Sequence, residues 1–402
     1  MRLSFLAVVS VLGLVTTGTA LGQVTSENDE RLKEALKQFP DADANHDGIL
    51  TMQEARAYLR GMRNGSGGKA AANAGAATRP STAPAAGDPA VMNSDAFKVT
   101  AAELDRLMQA ENAKGSKEPL SFPKGNGLRI LMTGHSWVAP ARISLPKIAA
   151  AAGLDGHHQR THTSGGMNGS AQSIWLSEIG KFNGQPAKTI LLPAIATGQW
   201  DVMTWGAFYG DKPEHYERWI DLCLKYNPKM VFYIQDGWPV YSAETEKLST
   251  EEKLKAIDSQ AAEIQATLSK SLYEALNAKY PGKVHVLPCG NAVVRMLHLY
   301  FQKQLPGFDC VSENLGGKKG IYRDGGHLST NSGMGQLAGY VYYATLYKCS
   351  PELIKGGRPE GVSEGLDRVM RKVAWMSVIN SPYSGVTDND GNGVGDNAIG
   401  TR

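Results

Sequence analysis

Cysteine is scarce in this chain: Cys223, Cys289, Cys310 and Cys349 are the only four in 402 residues. None stands at metal-ligand spacing, and so few in this length do not make a disulfide scaffold, although a single bridge beside buried free thiols stays open. An excess of either charge is also missing, since 42 Lys and Arg face 39 Asp and Glu. That balance excludes the strong field a nucleic-acid partner requires. Long apolar runs are absent beyond the N-terminus, so no membrane span is expected. The one such run, Leu3 to Val15 behind a single Arg, is too short to cross a bilayer and leads into Thr17-Gly18-Thr19-Ala20-Leu21-Gly22. This is the layout of a secretory signal peptide. Small residues at Ala20 and Gly22 set cleavage before Gln23, so residues 1–22 are read as the signal and the mature chain as secreted or periplasmic. Nothing in the sequence sets an oligomeric state.

What is present divides the remainder. A small acidic-to-amphipathic module covers 23–64, and a Gly, Ala, Pro and Ser-rich stretch without apolar periodicity, 65–95, reads as a flexible linker. A short helix is expected around 100–112, with Leu104 and Leu107 on one face. The largest domain, 121–380, alternates apolar strand-like runs with helix patterns at 128–133, 157–163, 201–206, 229–235 and 283–288. Those runs predict an α/β fold: a doubly wound, flavodoxin-like three-layer α/β/α sandwich on a five-stranded parallel sheet. Helices are expected over 214–226, with Trp219, Leu222 and Cys223 covering the sheet, and over 250–279 in the outer layer.

Two short segments carry the chemistry. Gly134-His135-Ser136-Trp137 follows the apolar run Leu128 to Thr133, which puts Ser136 at the carboxyl end of a strand, where open α/β sheets place their sites. Asp324-Gly325-Gly326-His327-Leu328-Ser329 supplies a base and a carboxylate. A serine hydroxyl becomes a useful nucleophile only when an imidazole takes its proton, and a carboxylate fixes that imidazole's tautomer. This pair, in this order and with a helix pattern following the His, resembles the SGNH or GDSL hydrolases over roughly residues 125 to 350. The resemblance implies Ser136 as nucleophile, His327 as base, Asp324 as its orienter, and a backbone N–H in Gly165-Gly166-Met167-Asn168-Gly169-Ser170 as oxyanion donor, with Gly166 the best match by spacing and Gly165 the other choice. His135 stands where that family has Asp. Ala207-Phe208 stand where it has the Asn of the oxyanion hole, and the loss of one such donor costs about a hundred- to a thousandfold in rate. Asn168 and Gln235 are the amides that suit a replacement.

Calcium patterns lie at both ends. Asp43, Asn45, Asp47, Ile49 by its carbonyl, Thr51 and Glu54 occupy the donor positions of a twelve-residue loop, with Gly48 at the sharp turn. The segment resembles a single EF-hand, flanked by helices over 32–39 and 55–62, without a second hand to pair with. Asp388, Asp390, Asn392 and Asp396, spaced by glycines in 385–402, resemble one thrombospondin type 3 calcium repeat. Calcium is thus the expected cofactor, with none needed for catalysis.

Other clusters are weaker. His158 and His162 share one face of a strand beside His157, but no third metal ligand is evident. Trp137, Trp205 and Trp238 each follow a strand end and suit either sugar stacking or buried packing. The sequence therefore leads to an exported serine esterase acting on an acylated, most simply acetylated, carbohydrate or small molecule. The competing reading is a catalytically degenerate domain serving extracellular, calcium-dependent binding or adhesion.

Overall fold

The structure, a computed structural model, describes residues 25–27, 29–43, 48–51, 55, 58, 125–305 and 307–398. The expected signal peptide, the linker, the helix around 100–112 and the loop residues Asn45, Asp47 and Glu54 lie outside the described residues. The chain divides into two compact units, Met1–Ser81 and Thr82–Arg402.

In the first unit, helix α1 (Glu30–Gln38) begins where Asp29 Oδ1 accepts the Leu32 N–H at 3.3 Å, and Pro40 opens a 3-10 turn beyond its end. Its apolar stripe, Leu32 and Ala35, packs with Ala42, Leu50 and Ala55 into a small core. Leu50 is held twice by Ser26: the Ser26 N–H donates to the Leu50 carbonyl at 2.9 Å, and the Leu50 N–H donates to Ser26 Oγ at 2.8 Å. An antiparallel bridge joins Thr25 to Thr51.

The second unit is built on a parallel sheet of five strands in the order β2-β1-β3-β4-β5. Its strands are β1 (Arg129–Gly134), β2 (His158–Thr163), β3 (Val202–Gly206), β4 (Val231–Gln235) and β5 (Val284–Leu287). All five sequence runs thus became strands. Alternation sorts their side chains: Ile130, Met132, Val202 and Tyr233 enter one core, while Leu131, Met203, Trp205, Phe232 and Ile234 enter the other. Helices α2 (Ala139–Ala151), α9 (Cys289–Phe301), α10 (Gly335–Tyr347) and α11 (Glu364–Ile379) fill the first layer. On the opposite face lie α3 (Ala171–Glu178), α4 (Leu191–Ala196), α5 (Pro213–Tyr226) and α8 (Leu272–Lys279). This is a three-layer α/β/α sandwich. The short α6 (Ala243–Glu246) precedes α7 (Thr250–Ile264), which runs into α8 through a π-helical turn, Gln265–Ser271. A small parallel pair, β6 (Cys310–Ser312) and β7 (Gly320–Tyr322), leads into the Asp324–His327 segment. Among the described residues no helix is long and apolar enough to cross a membrane.

The strand order fixes where chemistry can sit. Connections leave β1 toward β2 on one side and reach β3 on the other, so a crevice opens beyond the carboxyl ends of β1 and β3. Ser136 lies two residues past the end of β1.

Candidate active site

Gly134 closes β1 with a positive φ of 151°, and a side chain there would lie 2.5 Å from Val138 Cγ2 and 2.8 Å from the Gly206 nitrogen. Only glycine lets the strand end turn this tightly against β3. His135 then caps the 3-10 turn Ser136–Val138: its Nδ1 accepts the Trp137 N–H at 3.4 Å, and its Nε2 faces the Ala207 carbonyl at 2.9 Å. One nitrogen accepts and the other donates, which is the neutral imidazole. Burial lowers the His135 pKa and outweighs the Ala207 carbonyl, which favours the cation.

The second half of the site is a loop that folds on itself. Asp324 Oδ1 accepts the His327 N–H at 2.9 Å and the Gly326 N–H at 3.3 Å, while the Arg323 N–H donates to the His327 carbonyl at 2.8 Å. His327 Nδ1 lies 2.9 Å from each Asp324 oxygen, and His327 Nε2 lies 2.8 Å from Ser136 Oγ. Burial raises the Asp324 pKa, but the His327 N–H, the Arg323 guanidinium at 2.9 Å and the His327 ring together hold the carboxyl well below the usual carboxylate range. It is therefore an anion across the neutral pH range. Ser136 and His327 are half-buried, so a substrate reaches them from solvent.

The segment after β2 comes to the nucleophile turn through a glycine other than the expected one. A side chain on Gly169 would stand 2.5 Å from His135 Cα and 2.6 Å from the Gly134 carbonyl oxygen, whereas one on Gly166, at φ +54°, would meet nothing within 4 Å. After β3, the Ala207 carbonyl holds His135 and the Phe208 ring packs edge-on against it, centroids 5.4 Å apart. An aromatic ring thus fills the place where an Asn was expected.

Of the two substitute amides, Gln235 is spoken for: its Nε2 donates to the Trp137 carbonyl at 3.3 Å and its Oε1 accepts from Tyr342 at 2.9 Å. It braces the nucleophile turn from behind. Asn168 is exposed on the turn Gly166–Gly169.

Trp205 is core, packed on Phe232 and Tyr216, and Trp238 is buried beneath Trp137, their rings stacked 4.6 Å apart. Only Trp137 of the three keeps exposed surface. The strand histidines have other work. His162 Nδ1 meets Glu178 at 2.6 Å, His157 Nδ1 meets the Tyr347 hydroxyl at 2.6 Å, and His158 packs against Trp200. Glu178 is wholly buried and also accepts the Ile190, Leu191 and Leu192 N–H groups, so it caps α4 from another helix. All four cysteines are free thiols.

Both calcium-type loops share one arrangement at their first Asp. Asp43 Oδ2 accepts the Gly48 N–H at 2.9 Å, and Asp388 Oδ2 accepts the Gly393 N–H at 3.1 Å. In each, Oδ1 is buried without a partner among the described residues. Asp390 and Asp396 instead hold Asn392 and Asn389, at 2.8 and 2.6 Å. No group of three or more His, Cys, Asp and Glu side chains converges as a metal site among the described residues. The C-terminal loop is not a loose tail: Trp375 Nε1 donates to Asp388 Oδ2 at 3.2 Å, and an antiparallel bridge ties Val394 to Cys349.

Sequence reading missed the supports of the site. Gln235, the last residue of β4, reads in the sequence as a substitute oxyanion amide and Trp238 as a stacking or packing ring; that both brace the nucleophile turn, and that Arg323 pairs with Asp324, is not legible there.

No protein-family model and no curated protein matches the chain. A DUF4886 family protein from Bacteroides uniformis, known from a crystal structure, is similar at 14% identity and a TM-score of 0.42, over 63% of this chain and 95% of that one.

Proposed function

We propose that this protein is an exported serine esterase that cleaves a carboxylic ester, the acyl group being carried by a carbohydrate or another small molecule. The observation that carries the reading is the unbroken relay from Ser136 Oγ to His327 Nε2 at 2.8 Å and from His327 Nδ1 to Asp324 at 2.9 Å. Ser136 Oγ attacks the ester carbonyl carbon as its proton passes to His327 Nε2. The Ser136 N–H and the backbone of the Gly166–Gly169 turn, Gly166 first, receive the oxyanion. Collapse of the tetrahedral species releases the alcohol, which takes the proton back from His327. Water then gives a proton to His327 and its oxygen to the acyl carbon, and a second collapse frees the carboxylic acid and restores Ser136. Asp324 stays an anion throughout and balances the imidazolium.

Calcium belongs to the same proposal outside the chemistry. The buried Oδ1 atoms of Asp43 and Asp388, without a partner among the described residues, fit a cation better than water-excluded solitude. Asp43, Asn45, Asp47, Ile49, Thr51 and Glu54 would hold one ion, and Asp388, Asp390, Asn392 and Asp396 a second. Each ion would supply charge that fixes its loop.

The second reading is a binding module that has lost catalysis, and Phe208 in the Asn position is the observation that favours it. Hydrolysis of p-nitrophenyl acetate by the mature protein beside Ser136→Ala separates the two: turnover lost in the variant supports the esterase, and equal rates support the binding module.

A further inference from the structure

The base of the proposed relay sits on an exposed loop. Arg323 and Asp324 are exposed, and the hydrogen bonds that Asp324 accepts from His327 are internal to the loop, so they shape it without aiming it at Ser136. Something outside the loop must set the 2.8 Å approach of His327 Nε2 to Ser136 Oγ.

That support comes from the segment after β4. The Trp238 indole N–H donates to the Gly326 carbonyl at 2.8 Å, one peptide unit before His327. Three residues farther along, the Tyr241 N–H donates to the Gly325 carbonyl at 2.7 Å, and from the other side the Tyr322 hydroxyl donates to the Pro239 carbonyl at 2.6 Å. The same Trp238 ring stacks on Trp137, the residue after Ser136, with centroids 4.6 Å apart and planes 15° apart. Trp238 is 1% exposed, so neither contact competes with water. One rigid side chain therefore touches both halves of the relay, the nucleophile turn through its ring face and the base loop through its ring nitrogen.

We infer that Trp238 is a positioning residue that fixes His327 against Ser136, with Tyr241 and Tyr322 anchoring the strap that carries it. It touches no reacting atom. Its kinetic consequence rests on the esterase reading, and its structural consequence does not. Misplacing a reacting group by about 1 Å costs on the order of a hundredfold in rate, so losing the external tether nearest His327 is expected to show in the rate and leave binding alone.

Trp238→Phe keeps the stacking face and removes the N–H. Two readouts are compared between wild type and the variant: hydrogen exchange of the peptide spanning 323–329, and kcat and KM for p-nitrophenyl acetate. The inference expects faster exchange in that peptide, kcat reduced about ten- to a hundredfold, and KM within about twofold. Unchanged exchange together with unchanged kcat in a folded variant overturns it. If the wild type itself has no turnover, the esterase reading fails, and the exchange comparison alone still decides whether Trp238 holds the loop. Should Trp238→Phe not fold, Tyr322→Phe releases Pro239 in the same strap, and the same faster exchange and kcat loss are expected; their absence overturns the inference.

Discussion

Ser136 Oγ and His327 Nε2 stand 2.8 Å apart although 191 residues separate them in sequence. The approach needs β1 to end in a turn that only glycine permits and the segment after β7 to bring the base loop to that turn. Asp324 completes it by meeting His327 Nδ1 with both oxygens at 2.9 Å. Replacing Asp324 with Asn keeps the shape but offers an amide that stabilises the wrong tautomer, so kcat is expected to fall by about ten-thousandfold with a near-native melting temperature. Steady-state kinetics with calorimetry on Asp324→Asn checks this, and an unaffected kcat would remove Asp324 from the mechanism.

Gly325 is the tightest point of the base loop. It holds φ +82°, and a side chain there would lie 2.2 Å from the Tyr241 carbonyl oxygen. Gly325→Ala is expected to lose about 1–3 kcal/mol from backbone strain alone, with the collision added. Denaturant unfolding should show that loss beside a sharp fall in activity.

Asp236 gives the fold a pH dependence. Burial raises its carboxyl to about 8, against the backbone N–H groups of Gly290 and Cys289 that favour the anion. The acid is neutral in the folded protein up to that point and ionised in the unfolded chain above about 4. Between those values the folded state binds the extra proton, so this group's share of stability falls as pH rises, by at most about 1.4 kcal/mol per pH unit. Melting temperatures from pH 5 to 8 are expected to decline more steeply in wild type than in Asp236→Asn. Parallel curves would show that Asp236 does not titrate in this window.

Calcium titration of the mature chain by calorimetry is expected to give two equivalents. Asp43→Ala should remove one and Asp388→Ala the other, because each supplies a buried oxygen that has no partner among the described residues. A chain that takes up no calcium would leave both loops as hydrogen-bonded turns.

The fold was largely legible because β1, β3 and β4 are short and apolar, and their side chains alternate between the two cores, as Ile130, Leu131 and Met132 do in β1; β2, His158–Thr163, is polar and places no side chain in either core. Ser136, Asp324 and His327 were legible because their chemistry demands fixed neighbours within a few residues. What escaped the sequence depends on contacts between distant segments. Gln235 reads as a free amide until Tyr342 and the Trp137 carbonyl are seen to hold it. The role of His162 stays open in the sequence, where no third metal ligand is evident, until Glu178 faces it. Trp238 suits either sugar stacking or buried packing until its stack on Trp137 and its N–H to the Gly326 carbonyl decide for packing. Nor does spacing alone reveal that Gly169, three residues past Gly166, is the glycine that packs on the nucleophile turn.

The central claim is that Ser136 is an activated nucleophile, and covalent capture tests it without knowledge of the natural ester. The mature protein is treated with a fluorophosphonate, and the modified residue is located by peptide mass spectrometry, with His327→Ala and Ser136→Ala beside it. The account predicts stoichiometric labelling at Ser136 in wild type, strong suppression in His327→Ala and none in Ser136→Ala. A folded wild type that stays unlabelled, or that labels equally well without His327, would contradict it.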